Sequence, residues 1–212
     1  MEKYFNEFNA ILEVQDKEKA VNYILNLLQS GETDIFKLYS DIIIPSLTSM
    51  VCHIHEKNTC VWKEHVRTSI LRTIVECCYS YVLTKKSEIK PKDKGTAIIL
   101  CPPQEYQELN ARICSDFFCL AGYKSIFAGS NTPFEDFYNV AEILKPKVIY
   151  INVHNYYNIF VTKKIIKSIK AKFDNSVKIV VGGNAFMLNK GLSSTIGADF
   201  YADTFEEINK II

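Results

Sequence analysis

The chain has 212 residues, 48% of them hydrophobic, and 25 basic against 24 acidic side chains leave a formal net charge of +1. Such a length holds one or two domains of roughly 100–200 residues, able to bury a core without disulfide or metal staples. The near-neutral balance excludes a global electrostatic case for nucleic acid or an anionic membrane, and neither is an expected direct partner.

The N-terminus, Met1 to Phe8, has no basic start followed by an apolar segment, and no apolar run approaches roughly 18 residues. A cytoplasmic protein is expected. Apolar residues recur at three- and four-residue spacing in Tyr4, Phe8, Ile11 and Leu12, then in Ala20, Val21, Ile24, Leu25 and Leu28, before a break at Ser30-Gly31. A third helical pattern runs from about Thr33 to His55 through Ile35, Leu38, Ile42, Leu47, Met50, Val51 and Ile54, with Pro45 as a kink site. A fourth runs from about Thr59 into Leu83. Four amphipathic helices with short connections predict an antiparallel bundle over residues 1–85. The charged stretch 86–94, which contains Pro91, reads as a linker.

Over residues 95–212 short strands and helices alternate. The strands are expected at Thr96–Cys101, Lys124–Ala128, Val148–Asn152, Val177–Val181 and Phe200-Tyr201, and the helices begin near Gln107, Pro133, Ile159 and Ala185, with Phe205–Ile212 last. That rhythm predicts an α/β fold: a flavodoxin- or Rossmann-like, doubly wound, parallel five-stranded sheet with its binding crevice at the carboxyl ends of the strands.

The loop Leu100-Cys-Pro-Pro-Gln-Glu-Tyr-Gln-Glu-Leu-Asn110 joins the first strand to an amphipathic run from Ala111 to Leu120. Its segment Glu105 to Asn110 resembles the Glu-x-His-x-x-Gly loop of cobalamin-binding domains, whose histidine is the lower axial ligand of cobalt. Gln107 stands at the histidine position and Asn110 at the glycine position. Further loops carry the same resemblance. Ala128-Gly-Ser130-Asn-Thr132-Pro133 is similar to that family's Leu-Gly-x-x-Thr-Pro turn, and Asn152-Val-His154 stands where many members have Ser-x-Thr or Ser-x-Leu. Val180-Val-Gly182-Gly183-Asn184 resembles the Gly-Gly loop against the buried nucleotide tail, and Gly197-Ala-Asp to Asp203 resembles the end of the domain. A Gly-Gly pair permits positive φ and close approach of a bulky ligand; taken alone, it reads first as a tight turn.

The helical half extends the resemblance. Light-responsive, cobalamin-dependent regulators cap the corrin with a four-helix bundle carrying a Trp-x-(nine residues)-Glu-His motif. Glu64-His65 matches its end, Ile54 falls at the tryptophan position, and Trp62 is too far along the chain to replace it. A glutamine amide is a poor transition-metal ligand where neutral imidazole is a good one, so histidine-ligated cobalamin is not expected. The resemblance leaves cobalamin held without that bond as the leading cofactor, with haem or bilin in the same cleft, or no cofactor, as alternatives. His65, oriented by Glu64, or His154 would then be the metal ligand. His53 and His55 lie on the third helix, and an unselected histidine is more often a surface or hydrogen-bonded core residue than a metal ligand.

Other signals are weaker. Tyr156 and Tyr157, flanked by Asn155 and Asn158, form a polar aromatic loop, and Lys163 to Lys172 reads as a solvated amphipathic helix. Seven cysteines, an odd count without Cys-x-x-Cys spacing, predict reduced thiols, and neither Cys101 nor Cys114 carries the signature of a nucleophile. There is no Walker loop, Gly-x-Ser-x-Gly or His-Glu-x-x-His. The favoured function is a tetrapyrrole-binding sensory or regulatory module, not itself an enzyme, whose ligand alters a contact with a regulatory protein or a second copy. Without a separate DNA-binding segment, its output is expected to pass through another protein. The alternatives are a corrinoid carrier for methyl transfer and a degenerate homologue acting through protein contacts.

Overall fold

The computed structural model describes residues 1–49, 59–173 and 176–211. The chain divides into two compact units, Met1–Ser87 and Glu88–Ile212.

In the first unit, helices α1 (Glu2–Glu13) and α2 (Lys17–Gln29) bury the periodic residues Phe8, Ile11 and Leu12 and Ala20, Ile24, Leu27 and Leu28. Asp16 caps α2 by accepting from the Lys19 amide, satisfying one of the free N–H groups of the first turn. The third pattern is a helix in three pieces: α3 (Ile35–Leu38), a π-turn at Tyr39–Ile43, and α4 (Ile44–Thr48). The π-turn explains how Pro45 is tolerated. Proline offers no N–H to the turn before it, and the Ile44 amide reaches five residues back to Tyr39. The expected contributions of Met50, Val51 and Ile54 lie outside the described residues.

The fourth pattern is two helices rather than one, α5 (Cys60–Cys77) and α6 (Tyr79–Ile89), parted at Cys78. Arg67 on α5 forms an ion pair with Glu13 on α1. The stretch expected as linker is therefore helical as far as Ile89. Lys90, at φ 44°, takes the left-handed conformation of a helix stop, and Pro91 cannot continue the turn. Cys60 is disulfide-bonded, which corrects the expectation of reduced thiols throughout, while Cys77, Cys78, Cys101, Cys114 and Cys119 are free.

The second unit is a five-stranded, wholly parallel sheet in the order β2-β1-β3-β4-β5. Its strands are β1 (Thr96–Leu100), β2 (Lys124–Gly129), β3 (Val148–Asn152), β4 (Lys178–Gly182) and β5 (Phe200–Tyr201). Its helices are α7 (Leu109–Leu120), α8 (Phe134–Leu144), α9 (Ile159–Phe173), α10 (Leu192–Thr195) and α11 (Phe205–Asn209). The helix expected at Ala185 is a 3-10 turn, Asn184–Phe186, with α10 following later.

Alternation assigns the strand residues to two layers. Ile98, Leu100, Ile149, Ile151, Ile179 and Val181 pack with Phe137, Ala141, Ile165, Ile166 and Ile169 of α8 and α9. The alternate residues Ile99, Tyr150 and Val180 are buried on the other face, where α7 contacts β1, β2 and β3. Because β2 and β3 flank β1 on opposite sides, the chain reverses direction across the sheet at β1. The loops after β1 and β3 therefore lie at the point in the strand order where open α/β sheets bind ligands. No helix among the described residues is long and apolar enough to cross a membrane.

Candidate functional site

The loop after β1 is fastened to its neighbours by two carboxylates. Glu105 is 2% exposed, and its Oε2 accepts from the backbone N–H of His154 (3.0 Å) and Asn155 (2.8 Å) and from Asn158 Nδ2 (3.1 Å). Its Oε1 accepts from the Gln107 amide at 3.3 Å. Glu108 Oε2 accepts from the Ser130 amide at 2.7 Å, tying the same loop to the end of β2. Asn131 Oδ1 accepts from the Gln104 amide, and Thr132 donates its hydroxyl to the Gly129 carbonyl and its N–H to Cys101. Of the residues expected to hold a cofactor, Glu105, Ser130, Thr132, Asn152 and His154 are thus gathered at one edge. Glu105, Ser130 and Thr132 use these groups to brace the loops.

Gln107 and Asn110 lie where α7 begins. The Gln107 carbonyl is 3.5 Å from Asn152 Nδ2, and Asn110 Nδ2 donates to Asn152 Oδ1 at 3.0 Å and approaches Asp203 Oδ1 at 3.4 Å. Asp203 also accepts from the Tyr201 hydroxyl (2.7 Å) and from the Gly183 amide (2.8 and 3.0 Å), and the Tyr150 hydroxyl stands 3.0 Å from it and 3.2 Å from Cys114 Sγ. Burial raises the Asp203 carboxyl above its ordinary value although these donors act to lower it. Burial and the nearby Asp203 charge likewise raise the Tyr150 and Tyr201 hydroxyls. The buried Cys101 thiol is pushed up to about 12, first by burial and then by Glu105 and Glu108, which makes it a poor nucleophile.

The glycine pair is packed closely against the protein's own atoms. A Cβ on Gly182 would lie 2.2 Å from the Tyr150 hydroxyl and 2.3 Å from Asp203 Oδ1, and one on Gly183 would lie 2.4 Å from the Val153 carbonyl. Positive φ is confined to Gly183, at 101°. The close approach that demands glycine is made by the protein's own atoms.

The half-buried His154 follows β3 at the carboxyl edge, with its N–H on Glu105. His65 is exposed on α5 in the first unit, with Glu64 half-buried beside it and Trp62 69% exposed. His53, His55 and Ile54 lie outside the described residues. Among the described residues no group of three or more His, Cys, Asp or Glu is placed to hold a metal. Sequence reasoning quoted Asp203 only as the end of a motif and read Tyr150 only as part of an apolar strand. A tyrosine inside a strand buried on both faces is the signal that was available, since its hydroxyl requires a partner. Tyr106, Tyr156, Tyr157, Phe160, Met187 and Leu188, all exposed, belong to the loops and helix start that follow β1, β3 and β4. A cavity of about 540 Å³ lies at the opposite edge of the sheet, lined by Lys94, Tyr123, Lys147 and Lys178, and includes none of the expected site residues.

Comparison with solved structures gives a monomethylamine corrinoid protein from Methanosarcina barkeri (14% identity, TM-score 0.80), aligned over 99% of this chain and 96% of that one. A cobalamin-binding protein from Desulfitobacterium hafniense DCB-2 aligns over 97% and 95% at 14% identity, with a TM-score of 0.49. The methanol:cobalamin methyltransferase complex of Methanosarcina barkeri aligns over 98% of this chain and 77% of that one at 15% identity and a TM-score of 0.49. Comparison with curated proteins finds no match. The first of these likenesses establishes the fold across both units. Residues 95–209, which carry the whole edge described above, match the family model described as the B12 binding domain; the chain belongs to that family, and cobalamin is the cofactor this membership assigns.

Proposed function

We propose that the chain is a cobalamin-binding regulatory module that holds the corrinoid without an imidazole from its own 105–110 loop. The observation that carries this reading is Gln107 at the ligand position, with its backbone tied to Glu105 and Asn152. The fit to cobalamin is partial. The loops at the carboxyl edge offer apolar and aromatic side chains suited to a flat macrocycle, Tyr106, Tyr156, Tyr157 and Leu188 among them. The amide of Gln107 supplies no good ligand to a transition metal. Sensing a corrinoid requires only that its binding favour one state of the protein over another, and no ligand exchange at cobalt. The response then passes to a partner protein through the surface that binding alters.

A methyl-transfer carrier is the second reading. The likeness to the monomethylamine corrinoid protein, which extends over nearly the whole of both chains, favours it. The missing imidazole weighs against it, because the lower ligand in the family's loop belongs to the cobalt chemistry.

Incubation of purified protein with hydroxocobalamin or adenosylcobalamin, followed by gel filtration, tests the proposal. Coelution of colour with protein supports it, and a colourless protein peak at saturating cofactor overturns it. A protein that passes methyl groups from bound methylcobalamin to a methyltransferase's substrate would favour the carrier. Purification with a haem Soret band would replace cobalamin with haem, and loss of that band in His154→Ala would identify the ligand.

A further inference from the structure

We infer that cobalamin bound to this chain keeps its nucleotide outside the α/β unit, because the protein fills the space beneath residues 107–110 with its own side chains. The inference rests on the cobalamin-binding reading and specifies the form in which the cofactor is held. Three features of the space between α7 and strands β3 and β4 lead to it.

The side chain of Asn110 crosses from the first turn of α7 to Asn152 and Asp203. A glycine at that position would leave this passage open. The Tyr150 side chain is fully buried, its hydroxyl lies between Cys114 and Asp203, and its ring packs edge-on against Phe118 at 5.5 Å. Finally, the Gly182-Gly183 backbone is pressed against Tyr150, Asp203 and Val153 more closely than any added atom could be accommodated.

The buried side chains of this space are hydrogen-bonded as well. Among the described residues the buried side-chain polar atoms without a partner are Ser46 Oγ and Arg67 Nε, both in the first unit. Among the described residues of the α/β unit, no buried side-chain donor or acceptor is therefore left to await a ribose, phosphate or base. Entry of the nucleotide would break Asn110–Asn152 and displace Tyr150 from Asp203, leaving buried polar groups bare, at a cost the new contacts would have to offset in full. With Gln107 a poor ligand, a base kept outside the α/β unit would remain available as a donor to the cobalt.

The test compares two probes on the full-length protein: cobalamin, and cobinamide, a corrinoid that lacks the nucleotide. Affinities agreeing within about threefold, together with a base-on spectrum and the nitrogen splitting of the base in the Co(II) form at neutral pH, support the inference. Cobalamin binding about thirty-fold tighter than cobinamide, or bound cobalamin in the base-off form, overturns it while leaving the cobalamin reading in place. Retention of neither corrinoid overturns the reading itself, and the inference with it.

Discussion

Asn110 Nδ2 donates to Asn152 Oδ1 at 3.0 Å, joining the first turn of α7 to the last residue of β3. The bond forms at the position that the resemblance to the Glu-x-His-x-x-Gly loop places at the glycine. Asp203, just beyond β5, adds a second contact to the same brace.

Replacing Asn110 by glycine removes that brace. Asn110→Gly is expected to lower stability by about 1–2 kcal/mol, since it leaves the buried Asn152 Oδ1 without its donor and places glycine in a helix. Chemical denaturation of the full chain measures the change, and an unchanged midpoint would mean that the contact contributes nothing.

The raised carboxyl of Asp203 gives stability a definite pH dependence. Between the ordinary carboxylate value and the raised one, the folded protein keeps a proton that the unfolded chain has released. The contribution is therefore complete below the unfolded value and is lost as pH rises through that window to the folded one. Asp203→Asn should flatten this part of the profile. A slope that persists unchanged in the variant would assign it to another group.

Glu105 accepts three N–H groups on one oxygen and a fourth on the other, with almost no exposure to water. Glu105→Ala should cost about 3 kcal/mol, and Glu105→Gln clearly less, because the amide keeps one acceptor. Hydrogen exchange is expected to accelerate at the His154 and Asn155 amides in the alanine variant. Protection at both equal to that of the parent protein would contradict the bracing role.

Thiol reactivity should follow burial. Cys101, with its thiol pushed up to about 12, and Cys114, raised well above its ordinary value by burial, are both fully buried, whereas Cys77 is exposed. Alkylation of the native protein at pH 8, mapped by mass spectrometry, is expected to modify Cys77 and spare Cys101 and Cys114. Rapid labelling of Cys101 would show that the loop after β1 opens far more readily than its hydrogen bonds suggest.

Much of the fold was legible in local pattern. Val148–Asn152 and the start of α9 at Ile159 fall where the sequence places them, because a continuous apolar run and a sharp return of helical spacing leave little choice. Boundaries were less legible where cap geometry decides. α7 begins at Leu109 rather than Gln107 because the residues before it are held by Glu105 and Glu108 instead of by helical bonds. The break at Cys78 and the π-turn before Pro45 were equally hidden, since each shifts one turn of hydrogen bonds without altering the apolar spacing.

From its sequence alone the chain is determined to be an α/β sheet preceded by helices, with a cobalamin-type loop whose histidine is glutamine. The first follows from periodicity, which acts locally, and the second from the resemblance of residues 105–110 to a known family's loop. Only the tertiary structure decided what that loop does. Glu105 serves His154 and Asn155, Asn110 serves Asn152, and the glycine pair accommodates Tyr150 and Asp203, all through hydrogen bonds and close contacts between residues far apart in the chain. Buried polar groups must find partners wherever the fold brings them together, and spacing along the chain does not specify which partners those are.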